Sequence, residues 1–341
     1  MLEFTEILTE ILESLLAAER IGGGIGIMEL DNYDDIDVDT LLKKLLISSE
    51  KASNIYDDSF GTCFYDVEME MEIIREQDIK SELARIATGE NDDTLFLQFQ
   101  PIVDLKSNQI CGFEALARMK TEKLGSIPPM EFIPIAEKTK LIIPIGKIIF
   151  MKSFSFLNRI KEIGYNNINI SVNVSAIQVL ENNFAVDLLK IINDMQVDPE
   201  NIIIEITESV FSSKYEDINK IFGDLRNSGV KIAIDDFGTG YSSLAREQEL
   251  NVDCLKIDKY FIDKLLEVHP DYAITAEVIS MAHKMGHFVT AEGVEHENQK
   301  EYLLRNGCDS FQGYLFARPL DEDDAIKMLI NEINIDYGSE I

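Results

Sequence analysis

Two adjacent carboxylates, Asp235 and Asp236, follow the apolar run Val230-Lys231-Ile232-Ala233-Ile234 and enter a turn punctuated by Gly238 and Gly240. Neighbouring carboxylates repel each other unless positive charge lies between them. A divalent metal would supply that charge, and two metals would suit the pair better. A solvated Asp-Asp turn would look the same locally, so the rest of the chain must decide. The same arrangement recurs along it: Glu114, Asn173, Glu205, Lys256, Glu292 and Gln312 each stand at or near the C-terminal end of a segment that reads as a strand. Oxygen-only ligands suit Mg²⁺ or Mn²⁺ rather than zinc. Two such ions sharing a carboxylate can clamp the attacking and leaving oxygens of a phosphodiester.

Strands are predicted at Leu95 to Phe99, Ile110 to Leu116, Ile168 to Val174, Ile202 to Ile206, Val230 to Ile234, Cys254 to Ile257 and Phe288 to Ala291, with a short run at Ser310-Phe311. Helices are predicted between most of them, at Pro129 to Lys138, Lys147 to Ile163, Tyr215 to Ser228 and Tyr272 to Met285. About eight strands alternating with helices point to a (β/α) barrel, whose chemistry gathers at the C-terminal strand ends. An open doubly wound sheet is the alternative.

The chain before this alternation reads differently. An amphipathic helix is expected over Leu2 to Leu16, then a plain loop at Gly22-Gly23-Gly24 and a strand from Ile25 to Leu30. The acidic run Asp31 to Asp39 has the first ligand spacings of a calcium loop but Thr40 and Leu46 at its glycine and glutamate positions, so a solvated loop is expected. A helix over Thr40 to Asn54, a strand over Gly61 to Tyr65 and a charged helix over Glu68 to Ala87 follow. The domain boundary is placed after residue 90, dividing the chain into 1–90 and 91–341.

The sequence has 341 residues, 45% of them apolar, with a formal net charge of −31. That length can bury a full core. The acidic excess argues against binding a nucleic-acid polymer, because no surplus of cations is available to neutralise phosphates. Four scattered cysteines lack metal-ligand spacing and are expected to be reduced thiols. No apolar run is long enough to span a bilayer, so a cytoplasmic chain without membrane contact is expected, with a membrane-attached parent left open. No Gly-x-Ser-x-Gly elbow, His-Glu-x-x-His pattern or kinase motif set is present.

From about Thr94 to Leu329 the chain closely resembles the EAL domain family of cyclic di-GMP phosphodiesterases. The resemblance is carried by Gln100-Pro101-Ile102-Val103, by Glu114-Ala115-Leu116 with Arg118, and by Asn173-Val174-Ser175-Ala176. It continues through Glu205-Ile206-Thr207-Glu208, Asp235 to Leu244, Leu255-Lys256-Ile257-Asp258, Ala291-Glu292-Gly293-Val294-Glu295 and Gln312-Gly313-Tyr314. It implies a modified (β/α)₈ barrel with one antiparallel strand, preceded by a small α+β segment. It also implies hydrolysis of cyclic di-GMP to linear pGpG, with a non-catalytic cyclic di-GMP receptor as the alternative.

On this resemblance Glu114, Asn173, Glu205 and Asp235 would hold one metal, and Asp236 would serve a second that shares Asp235. Lys256 would hold the attacking water, Glu292 would act as base or orient that water, and Gln312 would position the metal-water network. Gln100 and Leu116 would line the nucleotide site, Arg118 would grip a phosphate, and Glu295 would help shape the site. Glu208 would couple the loop after Asp236 to a homodimer contact. Met119 and Ile177 depart from the family's more usual aromatic residue and arginine. More weakly, the first 90 or so residues resemble the second half of a GGDEF domain, through Gly24-Ile25-Gly26-Ile27 and the helices that follow. The GGDEF signature itself is absent, so no cyclase activity is expected.

Overall fold

The computed structural model describes residues 23–29, 38–55, 60–90, 92–207, 210, 215–238, 250–267 and 273–336. The predicted helix at Leu2 to Leu16 and most of the acidic run lie outside them. Two compact units are present, Met1–Glu82 and Leu83–Ile341, so the division falls inside a helix and ahead of the boundary expected at residue 90.

In the first unit, strand β1 (Gly23–Ile27) pairs in parallel with β2 (Phe60–Phe64) through the crossover helix α1 (Val38–Ile55). The charged helix α2 (Val67–Ala87) follows. Here the expectation of a plain loop over the triple glycine is corrected, since Gly23 and Gly24 belong to β1. A β-carbon at Gly24 would collide with the carbonyl of Ser49, and one at Gly26 with that of Leu45. The glycines let the strand backbone lie directly against α1.

The second unit is a closed barrel. Residues 105–109 connect β3 (Leu95–Asp104) to β4 (Ile110–Thr121), a link too short for a crossover, so the two strands run antiparallel. Asp104 shapes this turn by accepting from the Lys106 and Ser107 amides at 3.1 and 2.7 Å. Beyond the barrel wall β4 continues as a ribbon with the short β5 (Gly125–Ile127).

Helices α3 (Pro129–Lys138) and α4 (Ile142–Glu162) lead to β6 (Asn169–Asn173), and α5 (Ala176–Val179) and α6 (Phe184–Asp194) to β7 (Ile202–Thr207). Then come α7 (Tyr215–Asn227), β8 (Lys231–Phe237) and β9 (Cys254–Ile257). Helices α8 (Lys259–Glu267) and α9 (Thr275–Lys284) precede β10 (Phe288–Ala291). The unit ends with α10 (Glu297–Arg305), β11 (Ser310–Phe311) and α11 (Glu322–Asp336).

Strands β4, β6, β7, β8, β9, β10 and β11 are parallel neighbours in that order, and β3 closes the ring antiparallel to both β11 and β4. This is the modified (β/α)₈ barrel. Its strands bury apolar side chains such as Ile202, Ile204, Ile232 and Ile234, none more than 1% exposed. Phe156 of α4 stacks on Phe99 with ring centroids 3.6 Å apart, sealing a helix against β3. Met119 is also buried in this core. The four cysteines are free thiols.

Candidate active site

Lys256 is the centre of the site. It sits one residue before the end of β9, opposite Thr290 of β10, and is 2% exposed. Its Nζ lies 2.5 Å from Glu292 Oε1, 2.8 Å from Glu205 Oε2, 3.2 Å from Asp235 Oδ1 and 3.7 Å from Glu114 Oε2. Four strands therefore aim a carboxylate at one ammonium. Burial alone would lower the lysine's pKa, but the four carboxylates outweigh it and hold the group well above its ordinary value.

A single cation cannot balance four acids. Burial, reinforced by Glu114, Asp235 and Glu292, raises the Glu205 carboxyl well above the usual range despite Lys256. Glu292 is pushed up to about 8, again chiefly by burial.

Glu114 is held from both sides. Asn173 Nδ2 donates to its Oε1 at 2.6 Å, and Gln312 Nε2 donates to its Oε2 at 2.6 Å. Gln312 Nε2 also reaches Gln100 Oε1 at 3.0 Å, while Gln100 Nε2 donates to the Ala317 carbonyl at 3.2 Å. Gln100 and Glu114 face each other across the β3–β4 pair. Glu114 thus stands mid-strand rather than at a strand end, because β4 runs on into its ribbon with β5.

The two adjacent aspartates need a break in the strand, since successive side chains otherwise point to opposite faces. Such a break exists. Between Ile234 and Phe237 the β8–β9 register shifts, and Asp236 adopts a left-handed backbone with φ 54°. This bulge turns both carboxylates toward one side. Asp235, Asp236 and Glu292 consequently bring one oxygen each to within 4.8 Å of one another. Burial first, then the charge on Asp235, raises the Asp236 carboxyl.

These residues fit a divalent cation. Among the described residues Gln312 Oε1 is buried and makes no hydrogen bond, although buried oxygens are normally paired, and Asp235 Oδ1 has the Lys256 ammonium at 3.2 Å but no hydrogen bond. The converging donors are all oxygens, which suits a hard cation.

Above the cluster opens a cleft of about 300 Å³ lined by Gln100, Glu114, Asp235, Glu292, Glu295 and Gln312, together with Lys259, Gly293, Gly313 and Tyr314. Ten of the predicted site residues are therefore brought together, counting Asn173, Glu205, Asp236 and Lys256 through their contacts. Leu116 and Arg118 do not line the cleft. They stand further along β4, where Arg118 Nε donates to Gln98 Oε1 at 2.8 Å. Glu208 lies outside the described residues. Lys259, absent from the predicted set, reaches the cleft as the first residue of α8.

A family model for the EAL domain matches residues 84–319. The chain belongs to the EAL domain family. Among relatives of this EAL domain, the signaling protein YkoW of Bacillus subtilis is 36% identical over 242 residues, covering 71% of this chain and 30% of YkoW. The bifunctional diguanylate cyclase/cyclic di-GMP phosphodiesterase MucR of Pseudomonas aeruginosa is 33% identical over 266 residues, 78% of this chain and 38% of MucR. The chain thus spans less than half the length of both curated relatives. A solved structure of the PaMucR phosphodiesterase in complex with c-di-GMP matches the EAL domain with a TM-score of 0.67 at 34% identity. That match covers 71% of this chain and 98% of the other.

Proposed function

We propose that this chain is a metal-dependent phosphodiesterase that hydrolyses cyclic di-GMP to linear pGpG. The observation that carries the reading is the buried Lys256 ammonium with four carboxylates around it, beside Asp236 and beneath an open cleft. The kinship to MucR, whose name specifies cyclic di-GMP, supports the choice of substrate.

Glu114, Asn173, Glu205, Asp235 and Asp236 would hold two divalent cations, Mg²⁺ or Mn²⁺. Those cations would supply Lewis-acid polarisation of the phosphodiester and a more acidic water. Lys256 donates a hydrogen bond to the attacking water and orients it. Glu292 accepts the proton that this water loses. The water oxygen bonds to phosphorus, the bond to the 3′ oxygen breaks, and that oxygen takes up a proton. Gln312 keeps Glu114 in place while Gln100 lines the nucleotide site. Arg118 and Leu116 engage the nucleotide from the ribbon, where the guanidinium fork suits phosphate oxygens. Glu208 links the loop after Asp236 to a homodimer contact. Residues 1–90 form a GGDEF-like segment without cyclase activity, and residues 91–341 form the barrel.

The test is turnover of cyclic di-GMP by purified protein with Mg²⁺ or Mn²⁺, repeated in EDTA. Metal-dependent release of pGpG is expected, and Glu114→Ala or Lys256→Ala is expected to abolish it. Tight binding without turnover would overturn the enzyme reading in favour of a receptor.

A further inference from the structure

Lys259 begins α8 three residues after Lys256, and its side chain lies across the segment that carries Glu292. Gly293 has φ 66°, and a β-carbon there would fall 2.6 Å from Lys259 Cβ and 2.8 Å from Lys259 Cδ, with Cγ nearer still. One residue further along the same segment, a β-carbon at Gly313 would collide with the backbone of Val294. The chain after Glu292 is therefore closely packed at Gly293 and Val294, with room for a side chain at neither Gly293 nor Gly313. The head of Lys259 completes the hold: Nζ lies 2.7 Å from Glu295 Oε1 and 3.2 Å from Asp263 Oδ1.

We propose that Lys259 is a positioning residue for Glu292, its stem pressing on Gly293 and its ammonium tying down Glu295. The proposal rests on the phosphodiesterase reading of the same site. Glu292 is held from its other side by the same stretch of chain, because its amide donates to the Ile257 carbonyl at 3.0 Å and its carboxylate meets Lys256. Residues 256, 257 and 259 thus grip one catalytic carboxylate through side chain, backbone and stem in turn. The Lys259–Glu295 pair is well exposed, at 44% and 38%, and a surface ion pair contributes little stability by itself. Its value is geometric. A reacting group displaced by an ångström can lose a hundredfold in rate with little change in fold.

The experiment compares Lys259→Arg, Lys259→Met and Lys259→Ala in the full chain, by steady-state kinetics with cyclic di-GMP and Mg²⁺ and by hydrogen exchange over residues 291–295. Lys259→Ala is expected to lower kcat about tenfold, with KM changed less than about twofold. Lys259→Met keeps the stem and is expected to retain kcat within about threefold, and Lys259→Arg to rescue it. Exchange over residues 291–295 is expected to quicken in Lys259→Ala while the melting temperature holds. Wild-type kcat in Lys259→Ala would overturn the proposal. So would a raised KM at unchanged kcat in both Lys259→Ala and Lys259→Met, which would make Lys259 a substrate contact. If the wild type itself fails to turn over, the phosphodiesterase reading falls separately, and unchanged exchange in Lys259→Ala would then overturn the positioning role.

Discussion

Lys256 donates to Glu205 across 2.8 Å, with the two side chains only 2% and 1% exposed. Neither partner has water to fall back on. Removing one member of such a pair leaves the other as an uncompensated buried charge, at a cost of roughly 3–5 kcal/mol. Lys256→Met is expected to lower stability by about 3 kcal/mol in EDTA, because four carboxylates then lose the ammonium they converge on. Denaturant titration of the two proteins reads this directly. A change within ~0.5 kcal/mol would mean that the carboxylates already share protons and need no lysine.

The raised carboxyls set the sign of the pH response without metal. Burial pushes the Glu292 carboxyl up to about 8 from its ordinary 4.5, and Glu205 and Asp236 shift the same way. The folded state therefore binds more protons than the unfolded one between these values, and stability must fall as pH rises through the window. Lys256, also raised, adds stability that would be lost only above its unfolded value of 10.5. Melting temperature in EDTA is expected to drop between pH 5 and about 8. Saturating Mn²⁺ is expected to flatten that slope, since a bound cation favours the ionised carboxylates. A melting temperature that rises over this range in EDTA would contradict the assignment.

Asp236 combines a proposed ligand position with a left-handed backbone, so two substitutions separate the roles. Asn tolerates that conformation, and Asp236→Asn is expected to keep stability in EDTA within ~0.5 kcal/mol or improve it. Its stabilisation by Mn²⁺ should shrink. Asp236→Val forces a β-branched residue to φ 54° and is expected to cost at least about 1–2 kcal/mol. Equal stabilisation by Mn²⁺ in Asp236→Asn and the wild type would remove Asp236 from the metal set.

In the first unit, Gly24→Ala would drive a methyl group into the Ser49 carbonyl of α1. A loss of about 1–3 kcal/mol is expected there, while the barrel keeps its own transition. Calorimetry should show one transition moving and the other fixed. Unchanged traces would mean that the strand–helix approach is looser than these glycines require.

An apolar run ending in a polar or charged residue made the site-bearing strands legible, because a parallel sheet buried on both faces leaves its chemistry to the strand ends. Asn173, Glu205, Asp235, Lys256 and Glu292 could all be found that way. The antiparallel entry of β3 had a weaker signal: the strands predicted at Leu95 to Phe99 and Ile110 to Leu116 leave residues 100–109 between them, fewer than a parallel crossover needs, and the structure shortens that link to 105–109. The bulge had none. A period of two places Asp235 and Asp236 on opposite faces, and only the backbone at Asp236 reverses this. Three-residue β5 was too short to show a pattern, which hid the ribbon and left Glu114 looking like a strand end. Lys259 reads as one more charge on an amphipathic helix until its contact with Gly293 is seen.

The reversed β3 has a geometric consequence for control. Leu95 begins β3 opposite Met119, at the far end of β4 and hence on the rim where the carboxylates gather. In a barrel of eight parallel strands the incoming chain would arrive at the opposite end, a full strand length from the chemistry. Here the tether is fastened at the reactive end. Leu95 opens the strand that carries Gln100, which bonds Gln312 and through it Glu114. Two hydrogen bonds separate the point of attachment's own strand from the Glu114 carboxylate of the candidate site.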